Sequence, residues 1–208
     1  MYDVDHEALI RTKEKIYPER YGQWDDAIRL REEIERSQAY DFVIVGTPPE
    51  SHLQIALDVL SNSAPKVLLI EKPLCTPDLN GIAELKEKIA KTHCYGLIAY
   101  NHNFTNNTLK AIEIIKSGLI GNPQSMHVRW LEHWGGIFRA HPWLDGPSDS
   151  YLGFSRRGGG ACSEHSHAIS LFQLFASELD LGRVSSVSAV MDRVQKNGVD
   201  YDRTTQLS

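Results

Sequence analysis

The sequence predicts an α/β fold in which a parallel sheet, covered on both faces, is followed by a second layer with an open, mostly antiparallel sheet. Three observations carry this expectation. Short apolar runs alternate with helical patterns at short loop distances as far as residue 101. These runs are continuously apolar, as in strands buried on both faces. Beyond residue 101 the strand-like stretches lengthen and one loop becomes rich in Gly, Pro and Ser.

Taken in order, residues 5–16 read as a helix, and a second helical pattern over 24–37 sets Ala27, Ile28, Leu30 and Ile34 on one face. The run Phe42-Val-Ile-Val follows and stops at Gly46-Thr-Pro-Pro, as a buried strand entering a turn would. A helix over 51–60, a strand over 66–70, a helix over about 78–91 and a strand over 96–100 complete the alternation. Next comes a helix over 105–117 that ends at Gly118, then strand-like stretches at 125–134 and 184–194. Between these lies the segment 135–160, longer than a connector requires and so a candidate active-site loop, and after it a helix over 164–177.

Composition excludes several classes. The 208 residues are 41% hydrophobic and 24% charged, ordinary for a globular protein with one large or two modest domains. Net charge is -5 and neither sign forms a long run, so no nucleic-acid partner is expected. The apolar runs are strand-length, far short of the ~20 residues of a membrane helix, and neither a span nor a signal peptide is expected. Cys75, Cys94 and Cys162 lie far apart without paired spacing, which suits a reducing cytoplasm better than a disulfide framework.

A doubly wound dinucleotide fold opens with a strand, a glycine-rich turn and a helix, and no G-x-G-x-x-G occurs in these 208 residues. The first five residues resemble the end of the second strand of such a fold, with Asp3 where an acidic side chain would meet an adenosine ribose. A plain charged terminus reads equally well. The chain is therefore expected to be a piece of a longer protein, cut at both ends.

In parallel sheets ligands collect beyond the carboxyl ends of the strands. One such corner is Thr47-Pro48-Pro49 with His52 shortly after; the prolines fix an extended turn, or they simply punctuate a loop. Another is Glu71-Lys72-Pro73, where a lysine held before proline can point into a cleft and serve proton exchange, or lie solvated on the surface. The third feature is Gly158-Gly-Gly-Ala-Cys-Ser-Glu-His-Ser-His167. On a continuous helix Ser163 and His167 share a face while His165 and His167 diverge, so no metal site is expected; an extended segment would put both histidines on one side without enough further ligands for zinc. His167 suits general acid or base work, or helix packing.

In this order, Asp41 to His52, Glu71-Lys72-Pro73, Ala99-Tyr100-Asn101, the Ser-Gly-Leu-Ile-Gly stretch before Pro123 and Gly158 to His167 resemble the Gfo/Idh/MocA oxidoreductases, over about residues 1–180. The resemblance implies a partial Rossmann-type NAD(P)-binding domain over 1–101 and part of a substrate-binding α/β domain over 102–208 that often carries an oligomer interface. It makes Lys72 the active-site lysine and His167 the family histidine. Thr47, Pro48, His52 and Glu71 would lie along NAD or NADP, Asn101 near the nicotinamide, and Trp143 and Ser163 against the substrate. Two positions depart from the family pattern: Ser163 stands where an aspartate is usual and Asn103 where an arginine is, while Glu164 is expected to face elsewhere. The implied activity is hydride transfer to or from a hydroxyl or carbonyl carbon of a sugar, cyclitol or nucleotide-sugar, in a protein that forms a homo-oligomer at full length. Ser163 favours a non-catalytic sensing or scaffold relative instead, and redox-assisted glycoside cleavage would use the same cofactor cycle.

Overall fold

Strands β1 (Phe42–Val45), β2 (Val67–Ile70) and β3 (Tyr95–Ile98) pair in parallel in that order, with Val45, Ile70 and Ile98 level at their carboxyl ends. They belong to a computed structural model that describes residues 1–35 and 38–208. Its contacts divide the chain into two compact units, Met1–Ala39 and Tyr40–Ser208.

In the first unit, α1 (His6–Arg11) runs through a π turn (Thr12–Ile16) into α2 (Tyr17–Tyr21), and Gly22 at φ 89° ends it. The helix expected over 24–37 does not form among the described residues, and its last two positions lie outside them. Asp25 instead accepts from the Ala27 N–H, closing a local turn, while Arg31 and Met1–Asp3 exchange backbone hydrogen bonds. Side-chain capping and cross-chain pairing outcompete a helix with no large apolar face to bury.

In the second unit, α3 (Pro49–Asn62) and α4 (Ile82–Thr92) bury their apolar faces with the sheet. Ala56, Leu60, Leu68 and Ile70 are at most 2% exposed, and burial of each larger side chain stabilises by about 1.5–3 kcal/mol. The expected cover on both faces is found on one. Phe42, Ile44, Tyr95 and Leu97, which register places on a common face, are each more than half exposed. Helix α4 begins later than expected because Asp78 accepts from the Thr76 hydroxyl and the Asn80 N–H, making a side-chain-stabilised turn before Gly81.

Beyond β3 the order is α5 (Asn106–Lys116), α6 (Trp134–Ala140), three short 3-10 turns, α7 (Ala161–Glu164) and α8 (His167–Glu178). The hairpin of β4 (Ala189–Lys196) and β5 (Val199–Leu207) turns at Asn197-Gly198, both with positive φ, as a tight antiparallel connection requires. The strand expected over 125–134 finds no ladder partner among the described residues, and the one expected from 184 starts at Ala189.

The glycine run bears on the site directly. A Cβ at Gly159 would lie 2.1 Å from the Tyr151 carbonyl oxygen, and one at Gly160, where φ is +90°, would lie 2.0 Å from Asp202 Oδ1. Buried Asp202 accepts from the Cys162 N–H at 2.8 Å, anchoring α7 to β5. The run thus sets α7 hard against its neighbours and fixes where Glu164 stands.

Candidate active site

Because β1, β2 and β3 end level, the residues after them line up along one edge: Gly46-Thr47 after β1, Glu71-Lys72 after β2 and Ala99 to Asn101 after β3. Thr47, Pro48 and Asn101 are exposed, and Glu71 is half-buried with its Oε2 accepting from the Lys72 N–H.

His52 corrects the sequence reading. It is fully buried and cannot reach a ligand along this edge. Its Nδ1 lies 3.0 Å from the Pro73 carbonyl oxygen and its Nε2 2.5 Å from that of Thr47, so the ring is wedged between the two corners and its single N–H donates to one of these oxygens. His52→Ala is expected to cost about 2–4 kcal/mol through the cavity and the carbonyl left unpaired, measured as a lower urea midpoint at unchanged slope.

Lys72 is the centre of the site. Its Nζ donates to the Glu164 backbone oxygen at 2.8 Å and lies 3.0 Å from Glu164 Oε1, with the two side chains only 13% and 18% exposed. Tyr151 donates its hydroxyl to Glu164 Oε2 at 3.0 Å, and burial followed by the adjacent Glu164 charge pushes that phenol strongly upward, so it stays protonated. Glu164 therefore faces the site, contrary to expectation. The helix expected over 164–177 breaks at His165 and Ser166, which turns the end of α7 toward Lys72 and separates Ser163 from the α8 face that carries His167. No side-chain hydrogen bond to Ser163 is found among the described residues.

His167 is buried and its Nδ1 has no hydrogen-bond partner among the described residues. Burial first, then the Lys72 and His102 charges, lower its pKa from 6.5 to about 4 against the opposing pull of Glu164 and Glu132. The imidazole is thus neutral at neutral pH and able to accept a proton. Linkage gives the sign. The unfolded chain protonates near pH 6.5 and the folded one near 4, so stability contributed at this site falls as pH drops through that window. Histidine-resolved NMR titration is expected to show His167 titrating well below the other histidines, and His167→Asn to flatten the acid side of the stability profile; a midpoint near 6.5 would refute the assignment.

Lys72, His102, Trp130, Glu132, Glu164 and His167 line a cleft of about 370 Å³. Of the residues expected at a site, the cleft holds Lys72 and His167. Trp143 is not on it: its ring is 42% exposed and stacks edge-on with His141. Asp3 lies in the first unit, where its carboxylate accepts from the Asp5 N–H. Glu164, Tyr151, His102, Trp130 and Glu132 were not anticipated. For Trp130 and Glu132 a signal existed, because residues two apart in an extended segment share a side. Among the described residues no three metal-ligating side chains cluster, and no helix is long and apolar enough to cross a membrane.

The fold is shared with proteins of known structure. The chain resembles the WlbA dehydrogenase from Chromobacterium violaceum, solved with NADH and UDP-GlcNAcA, at 18% identity and TM-score 0.65, covering 99% of this chain and 53% of that one. A levoglucosan dehydrogenase solved with NADH and levoglucosan gives 22% identity and TM-score 0.65, over 92% and 47% of the two chains. A super-repressor mutant of Gal80p from Saccharomyces cerevisiae gives 17% and 0.65, over 91% and 46%. The chain thus spans about half the length of these structures, and the likeness is one of fold. Among curated proteins none matches this sequence. Residues 8–100 match the model of the Gfo/Idh/MocA oxidoreductase family, described as having an NAD-binding Rossmann fold.

Proposed function

We propose that the cleft is the proton-handling end of a nicotinamide-dependent oxidoreductase that acts on a hydroxyl-bearing carbon of a sugar or cyclitol. One observation carries the proposal. Two of the three Lys72 N–H donors are directed to Glu164, by its backbone oxygen and its carboxylate, which leaves the third for a substrate oxygen in the cleft. Exposed Thr47 and Pro48, Glu71 and Asn101, aligned along the sheet edge, fit the nicotinamide half of a dinucleotide. A bound nicotinamide would supply the hydride acceptor. Lys72 would hold the substrate oxygen and stabilise its developing negative charge, neutral His167 would take the hydroxyl proton, and Tyr151 would keep Glu164 aimed at Lys72.

These 208 residues contain no G-x-G-x-x-G turn to cradle a pyrophosphate. Calorimetric titration of this chain with NADH is accordingly expected to give no micromolar affinity, and finding one would remove that argument. The activity itself is tested by steady-state rates with NAD+ and NADP+ over a panel of sugars and cyclitols, using a form in which a strand, glycine turn and helix precede residue 1. A sensing role is the second reading, supported by a likeness to Gal80p equal in TM-score to that of the dehydrogenases. Ligand binding without turnover on any member of the panel would favour it.

A further inference from the structure

The outer wall of the cleft is a group of side chains that the proton chemistry does not use. Trp130 donates its indole N–H to Glu132 Oε2 at 3.2 Å, and His165 Nδ1 lies 3.1 Å from the same oxygen. His102 meets the Trp130 ring edge-on with centroids 4.5 Å apart, and His167 lies beside it at 5.2 Å and 31°. The indole is half-buried and braced in one orientation. Glu132 Oε1 accepts no hydrogen bond among the described residues, and the side chain is 46% exposed.

An indole beside an unsatisfied carboxylate oxygen suits a hydroxylated ring. The ring's C–H face lies on the aromatic surface while neighbouring hydroxyls donate to the carboxylate. Charge narrows the class further. Lys72 is the sole Lys or Arg lining the cleft among the described residues, and it is already paired with Glu164. A carboxylate or phosphate on the ligand would find no unpaired cation there and would lie against Glu132, a repulsion that a partly shielded site strengthens.

Resting on the sugar or cyclitol reading above, we infer that this wall selects neutral or amino-bearing polyol rings and rejects uronates and sugar phosphates. Trp130 is the stacking surface and Glu132 the residue that discriminates by charge.

The test is saturation-transfer NMR on the 208-residue chain, with myo-inositol, glucosamine, glucuronate and glucose 6-phosphate as probes and tryptophan fluorescence as a second readout. The two uncharged or cationic probes are expected to bind at least about 10-fold more tightly than the two anions. Glu132→Gln should shrink that gap to about 3-fold or less. Trp130→Ala should remove saturation transfer to all four, with Trp130→Phe retaining part of it as a check against misfolding. Equal or tighter binding of glucuronate, an unchanged gap in Glu132→Gln, or no binding of any probe would each overturn the inference. Binding is read here without cofactor or turnover. Polyol binding with no hydride transfer would therefore sink the oxidoreductase reading alone, whereas turnover that prefers uronates would sink only this one.

Discussion

Lys72→Met is expected to lower turnover by about 10³-fold or to background while leaving cofactor affinity within about two-fold, measured in a chain extended by fusion to a strand, glycine turn and helix ahead of residue 1. Methionine keeps most of the aliphatic stem and its packing, so the change removes the ammonium and little else. What is lost is the donor aimed at the oxygen where negative charge develops, an interaction stronger in the transition state than in the ground state. The loss should therefore appear in kcat more than in KM. His167→Asn, by contrast, removes a proton acceptor that water can partly replace, and about a 10²-fold loss is expected. Steady-state rates at saturating nicotinamide separate the two. Full activity in Lys72→Met would end the assignment of this cleft as the reaction site, whatever the behaviour of the other variants.

The parts of this architecture that the sequence foretold are those fixed by local pattern. β1 and β2 lie where continuous apolar runs stop at Gly46 or before Pro73, a run length and a pair of breakers that local sequence supplies by itself. At Lys72 the strand end and the following proline left a cleft-facing and a solvated lysine both open, and only the resemblance to the oxidoreductases decided between them. The misreadings came where a distant contact decides the outcome. His52 looked like part of a ligand-facing corner, but whether a histidine near a strand end faces solvent or is wedged between two carbonyls depends on Pro73, 21 positions away. Glu164 was set aside on the geometry of one continuous helix. The break at His165 and Ser166, with α7 held by Asp202 from β5, reversed its direction. Residues 24–34 have a helical pattern that lost to pairing with the first three residues. The periodicity of a charged segment says what it could become alone, not what a partner strand will make of it.

Glu164→Ala is the sharper probe of the site, since it separates the carboxylate from the backbone oxygen that Lys72 also uses. The backbone bond to Nζ survives the substitution, while the ion pair and the acceptor for the Tyr151 hydroxyl are both lost. An ammonium only 13% exposed is then left without its counter-charge, and a loss of about 2–4 kcal/mol is expected, at the lower end because the pair is not fully buried. Glu164→Gln preserves shape and the acceptor for Tyr151 but not the charge, so its stability should fall between those of the wild type and Glu164→Ala. In a double-mutant cycle, Lys72→Met combined with Glu164→Ala should cost less than the sum of the singles, by about 1–3 kcal/mol, because either change removes the same interaction. Additive losses would mean that the pair contributes nothing of its own. Turnover should fall by about 10²-fold in Glu164→Ala as Lys72 loses its fixed direction. Ser163→Asp, which a single unbroken helix would make a substitute carboxylate for His167, is expected not to rescue that variant. The chain turns after Glu164, so a carboxylate at 163 stands on α7 and not one turn below His167 on α8. Restored rates when Glu164→Ala and Ser163→Asp are combined would show instead that either carboxylate can serve, and that the precise direction of α7 does not govern the site.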